Sequence, residues 1–184
     1  MNTTLLSFHG KQEIKDKYLA RVKAHHDADE ITQGVTWENG KGCAVGCTLH
    51  SYSHDAYPIE LGICWQLALV EDSLFENLKN GEAKKFPVQF LKTMPIGVDT
   101  HLIFKKFVIW NLADPTEGLI TVVADEPTKA VLLEISEIYK RSFTEEIDKE
   151  IWLSLAKKYR DASASASASA YASASASAYA YASA

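Results

Sequence analysis

Cys43, Cys47, His50 and His54 carry the side chains best suited to chemistry, and their spacings of 4, 3 and 4 set them on one stripe of a continuous helix. Thiolate and imidazole are donors that zinc prefers, so the pattern invites a metal site. A straight helix limits it: at about 1.5 Å per residue the segment spans roughly 16 Å, whereas ligand bonds are only about 2 Å long. At most two adjacent members can then serve one ion. The expected site pairs His50 with His54, or Cys47 with His50, and completes itself from an earlier helix that carries His25, with Asp29 or Glu30 following. The metal candidates are His25, Cys47, His50 and His54, with zinc as the expected ion. A chain break near Ser51 and Ser53 would restore a compact four-ligand arrangement. The plainer alternative makes Cys43 and Cys47 small buried residues and the histidines ordinary core or surface groups.

Cys43 also admits a nucleophile reading. It follows Asn39-Gly40-Lys41-Gly42 and falls at a helix start, where the positive end of the dipole and Lys41 both favour a thiolate. The catalytic candidates are Cys43 and His50, with His25 or His101 as alternative bases. Cys47 would be a resolving thiol, although Cys-x-x-x-Cys is not the Cys-x-x-Cys spacing of thioredoxin-like sites. Glu60, Glu71, Asp72 and Glu76 could add ligands, but the last three also read as a solvated helix face. Trp37, Trp65, Trp110 and Trp152 follow no motif spacing and read as core. The sequence contains no phosphate-binding glycine loop, Walker motif or nucleophile elbow.

A mainly helical fold must position these groups. Ile14, Tyr18, Val22 and His25 recur at helical spacing over residues 11–32, with Gly34 as the stop. Small residues over 43–50 allow a short, closely packed helix. Pro58 suits a first turn, residues 64–79 carry Leu67, Val70, Leu74, Phe75 and Leu78, and Asn80-Gly81 ends that helix. Pro87 opens a short helix to Met94, Asp99 caps one over residues 100–112, and Pro127 opens one reaching Ser142. Thr144 caps the last, which carries Ile147, Ile151 and Leu155. Residues 119–124 are rich in β-branched side chains, so a short strand there is the alternative to an all-helical domain.

Composition narrows the function classes. With 184 residues, 47% hydrophobic and 23% charged, the chain suits one globular domain plus an appendage. A net charge of -5 gives no basic surface for nucleic acid. Three cysteines are too few for a disulfide framework and agree with a reducing compartment. The first residues lack a signal-peptide pattern, and no run approaches the roughly 18 apolar residues of a membrane span. The expectation is a cytoplasmic protein with neither a nucleic-acid nor a membrane partner.

The domain expected over residues 1–161 gives way to a low-complexity tail over 162–184. There alanine takes every even position and Ser or Tyr every odd one, with Tyr171, Tyr179 and Tyr181 as the aromatic members and no charge. In a strand this period puts all alanines on one face, a silk-like pattern suited to stacking. Helix is the alternative: alanine favours it, but the alternation leaves no apolar stripe to dock.

The segment Trp37-Glu-Asn-Gly-Lys-Gly-Cys-Ala-Val-Gly-Cys-Thr-Leu-His50, with Arg21-Val-Lys-Ala-His25 before it and Ala56-Tyr-Pro-Ile-Glu-Leu-Gly62 after it, resembles a group of uncharacterised bacterial and phage proteins. Those proteins pair a globular N-terminal part with an alanine-rich repetitive tail. The resemblance implies no activity. It places Arg21, His25, Glu30, Cys43, Cys47, His50, His54 and Glu60 within matching segments. Cys64 stands where the group carries a proline, which argues against a shared role for that thiol. Related tails resemble helical alanine repeats, which favours the helical alternative.

Two functions follow as expectations. In the first, the tail drives self-association into a homo-oligomer that the globular domain decorates. In the second, the chain is a metal-binding protein or a cysteine-dependent enzyme with its site between the first two helices and a small-molecule ligand of unknown identity.

Overall fold

Tyr18 and Val22, one helical turn apart, are both buried in α1 (Gln12–Asp27) of the computed structural model, which describes residues 4–51 and 53–165. The chain is mainly helical, as its periodicity leads one to expect, and divides into two compact units, Met1–His101 and Leu102–Ala184. No helix among the described residues is long and apolar enough to cross a membrane.

In the first unit, α1 stops at Asp27 rather than near residue 32. Asp29 takes a left-handed conformation (φ 57°) and turns the chain back, so Glu30 N donates to His25 O at 2.9 Å. A two-stranded antiparallel hairpin follows, β1 (Trp37–Glu38) and β2 (Lys41–Gly42). Its turn residues Asn39 and Gly40 both have positive φ, 51° and 82°, the conformation that Asn-Gly supplies most readily in a tight hairpin. The hairpin delivers the chain into α2 (Ala44–Leu49), then α3 (Ala56–Leu61), α4 (Trp65–Asn77) and α5 (Asn80–Thr93).

Three boundaries differ from the sequence expectation. Pro58 falls in the first turn of a helix as expected, but that helix, α3, is short: Gly62 at φ 62° separates it from α4. Asn80-Gly81 starts α5 instead of closing α4, since Leu78 and Lys79 are extended and already break the helix. Pro87 lies inside α5; the proline ring removes one backbone donor there without ending the helix. Packing of α1 against α2 and α5, and of α4 against α2 and α5, surrounds a core that includes Phe8, Tyr57, Leu61, Ile63, Phe75 and Leu91. Thr100 ties this unit together: its hydroxyl lies 3.1 Å from Leu5 O and 3.3 Å from Gly62 O and accepts from Cys64 N at 3.1 Å.

α6 (Thr100–Ala113) begins at the end of the first unit and leads into the second, which continues with α7 (Glu126–Arg141) and α8 (Lys149–Ser165). Asp99 Oδ1 accepts from His101 N at 2.9 Å, the cap expected of it. Residues 119–124 form no strand: Leu119–Thr121 is a 3-10 turn, held by Thr121 N and Oγ1 donating to Gly118 O, so β-branched composition yields here to local turn bonding. The last helix starts at Lys149 rather than beside Thr144, and Asp148 accepts from Glu150 N at 2.7 Å. α7 and α8 pack through Leu132, Ile135, Trp152, Leu155 and Tyr159. Trp110 departs from the core role given to the tryptophans: it is 48% exposed, because it stands two residues, about 200° of helix, from the buried position Val108. α8 carries the chain through Ser165, so the first alternating residues continue a helix. The strand expected for the remainder of the tail lies outside the described residues.

Candidate functional site

Small residues put α2 directly against the hairpin. A Cβ added at Gly46 would lie 1.6 Å from Thr36 O, so only glycine permits this approach. Cys43 is the N-cap of α2: its Sγ accepts from Gly46 N at 3.4 Å, the bond a cap side chain makes to the first helical turn. This fixes the thiol at the start of α2 beside Asp72 of α4, with ligand atoms of the two within 4.8 Å. Asp72 and Glu76 are one turn apart on α4. One ligand atom from each of Cys43, Asp72 and Glu76 falls within 4.8 Å of the other two. His54, on the approach to α3, brings its Nε2 to 3.1 Å from Asp72 Oδ2.

A fully buried carboxyl lies next to this group. Glu71 Oε2 accepts from Tyr57 Oη at 2.5 Å. Burial pushes Glu71 up to about 8, against the Tyr57 bond that lowers it, and the neighbouring Asp72 charge adds to the rise. Burial also raises the Cys43 thiol far above its ordinary value, helped by the bond to Asp72, and the backbone amide of Gly46 recovers only part. Burial raises Asp72 as well, but His54 and Cys43 outweigh it and hold the carboxylate low. Glu71 Oε1, Asp72 Oδ1 and His54 Nε2 are buried atoms without a hydrogen-bond partner among the described residues; the His54 contact to Asp72 is close but misaligned. Such orphaned atoms call for a ligand or water.

A second constellation lies at the other end of α2. His50 is its C-cap, left-handed at φ 56° and ψ 41°. His50 Nε2 meets His25 Nε2 of α1 at 2.7 Å, and His25 Nδ1 meets Glu30 Oε2 at 2.7 Å. Trp37 stacks on His50 with centroids 4.8 Å apart and planes 15° from parallel. Burial, then Arg21 and His25, pull His50 below the usual imidazole value, and Glu30 opposes them. Arg21 itself donates to Thr48 O at 2.9 Å and lies over the Tyr18 ring, whose hydroxyl donates to Glu60.

The four metal candidates are thus divided. His25 and His50 come together; His54 joins Asp72 instead; Cys47 turns inward, its Sγ donating to Gly42 O at 3.3 Å. Cys43 and His50 cap opposite ends of a six-residue helix, so His50 is not placed as a base for that thiol. The electrostatics at Cys43 also run against a thiolate: the helix terminus offers a favourable dipole, but desolvation and Asp72 dominate. Burial pushes Cys47 up to about 12 and Cys64 up to about 11. His101 is exposed at the start of α6.

Asp72, Glu76 and Tyr57 are the members that sequence reasoning passed over or discounted. Their signal was available in Glu71, which shares the buried stripe of Leu67, Ala68 and Phe75 on α4. A carboxyl on an apolar stripe is rarely solvated face.

Compared with known proteins, the chain matches no family model, no curated protein and no solved structure.

Proposed function

We propose that the first unit is a divalent-metal-binding domain, with the ion held by Cys43 Sγ and one oxygen each from Asp72 and Glu76, and with His54 as the fourth ligand. The observation that supports this reading is the convergence of the three donors within 4.8 Å from two separate elements, the N-cap of α2 and one face of α4. One thiolate, one imidazole and two carboxylates form a mixed sulfur, nitrogen and oxygen set that suits zinc. A bound cation would reverse the local electrostatics: it deprotonates a coordinating thiol outright, where burial and then Asp72 keep the proton on Cys43. Metal analysis of chain purified without chelator or affinity tag tests the proposal. One equivalent of zinc, lost in Cys43→Ser and Asp72→Asn but kept in His50→Asn, is expected. Metal-free protein whose thermal unfolding does not respond to added zinc would overturn it.

The tail carries a second, independent reading, in which copies of the chain associate through residues 162–184. Strict alternation without charge supports it, since such a segment can stack identical faces against one another. Light scattering of the full chain against a truncation after Asp161 tests it. Association lost on truncation is expected; identical monomers would rule it out.

A further inference from the structure

We propose that His25 and His50 form a pH-sensitive clasp between α1 and the C-terminal end of α2: a hydrogen bond that holds while the two imidazoles carry one positive charge or none, and opens when both are charged.

The two rings come from different elements and meet head-on, Nε2 to Nε2 at 2.7 Å, with their planes 87° apart. Such a bond needs one proton and one lone pair between the two nitrogens. An ionised carboxylate can only accept a hydrogen bond, so Glu30, 2.7 Å from His25 Nδ1, keeps a proton on that nitrogen. In the uncharged pair His50 Nε2 is therefore the donor and His25 Nε2 the acceptor, which leaves the lone pair of the exposed His50 on Nδ1. A first proton enters at His50 Nδ1 while the bridging proton passes to His25 Nε2. His25 is then an imidazolium that donates both to Glu30 and to His50, and the bond survives, now assisted by charge. A second proton has no place except His50 Nε2. It sets two N–H groups and two cations against each other, and the bond is lost.

The surrounding charges set the direction of the response. Among the described residues, Arg21 of α1 and Glu30 of the turn after it are the charged side chains that face the pair. Arg21 is anchored to α2 by its bond to Thr48 O, so its charge stays beside His50 at every pH. Cys47, which also faces Glu30, is kept neutral by burial, and His26 turns to Asp27 instead. With both rings charged, three cations would meet one carboxylate. In the unfolded chain His50 takes its proton near 6.5, whereas in the folded chain burial, Arg21 and His25 hold it off to lower pH against the pull of Glu30. The stabilisation is thus present above 6.5 and is lost as pH falls below it. Trp37 of the hairpin reports the state of the clasp: it is stacked on His50 at 4.8 Å between centroids and edge-on to His25 at 5.5 Å, and it loses that packing when the pair opens.

Ring-nitrogen NMR of the isotope-labelled full chain over about pH 8 to 4.5, with tryptophan fluorescence and far-UV circular dichroism on the same samples, tests the clasp. His25 and His50 are expected to take up their protons in two separate steps that belong to the pair. Trp37 emission, read as the difference from Trp37→Phe, should stay flat through the first step and shift with the second, at constant helicity. His50→Asn, which keeps a residue tolerant of left-handed backbone, should leave His25 with a single step and abolish the emission shift. His25→Gln should likewise leave His50 with a single step. The proposal is overturned if the two rings of the wild type titrate independently with one shared midpoint, a result that needs no variant. It is overturned equally if Trp37 emission shifts at the same pH in His50→Asn, or if helicity is lost in the second step, since the chain would then be unfolding as a whole.

Discussion

Tyr57 donates its hydroxyl proton to Glu71 across 2.5 Å, and both side chains are fully buried between α3 and α4. The bond satisfies one carboxyl oxygen and leaves the other without a partner among the described residues. Burial therefore decides the ionisation, and Glu71 is raised from its ordinary 4.5 to about 8.

The consequence is a stability that falls with pH. In the unfolded chain Glu71 loses its proton near 4.5, but the folded chain holds it to about 8, so the folded state binds more protons between those values. The contribution is present in full below the lower value and is lost as pH rises through the upper one, at no more than about 1.4 kcal/mol per pH unit. Glu71→Gln preserves the shape and an acceptor for Tyr57 while removing the titration. Urea unfolding of chelator-treated protein from pH 5 to 8 should show a gap between wild type and variant that changes steadily across this range. A constant gap would contradict the assignment.

Alkylation tests the state of the thiols. Cys47 and Cys64 are pushed up to about 12 and about 11, and burial raises Cys43 as well. At pH 7 iodoacetamide should label each of them at least about 100-fold more slowly in the folded chain than after unfolding, because thiolate is the reacting species. Mass spectrometry of timed samples gives the three rates. Rapid labelling of Cys43 alone would restore it as a nucleophile.

Particular residues show how far the sequence reaches. The helical periodicity of Tyr18 and Val22 in α1, and of Leu132 and Ile135 in α7, could be read because one apolar face meets one core. The pairing of His25 with Glu30 could not, since it depends on Asp29 turning left-handed after α1. Nor could the division of the Cys/His stripe, which rests on α2 ending at Leu49: the chain leaves the helix at His50, and His54, in the segment before α3, meets Asp72 of α4. Asp72 and Glu76 were discounted because charges on a helix usually face water, whereas here the N-cap of α2 packs against that face.

Thr100 offers a test of the first unit's tie point. Its hydroxyl connects Leu5, Gly62 and Cys64, and the residue is fully buried. Thr100→Val keeps the volume but leaves Cys64 N–H without its acceptor. The loss should be about 1–3 kcal/mol, the cost of an unsatisfied buried donor, and chemical denaturation at fixed pH measures it. A change below about 0.5 kcal/mol would mean that another acceptor takes over.

Glycine substitutions separate crowding from backbone freedom. At Gly46 a methyl group would overlap Thr36 O, a backbone atom that moves only if the hairpin moves. Gly46→Ala should therefore destabilise the first unit by about 3 kcal/mol, the upper end of the usual cost of overpacking. Gly81 is the opposite case: it is exposed in the first turn of α5, and a Cβ there meets nothing within 4 Å. Gly81→Ala should stabilise by about 0.5 kcal/mol, because alanine gives up less backbone entropy on entering a helix. Thermal unfolding of the two variants beside wild type should move in opposite directions. A Gly46→Ala chain as stable as wild type would mean that the hairpin does not rest on α2 as closely as 1.6 Å implies, and the position of Cys43 against Asp72 would then need revision.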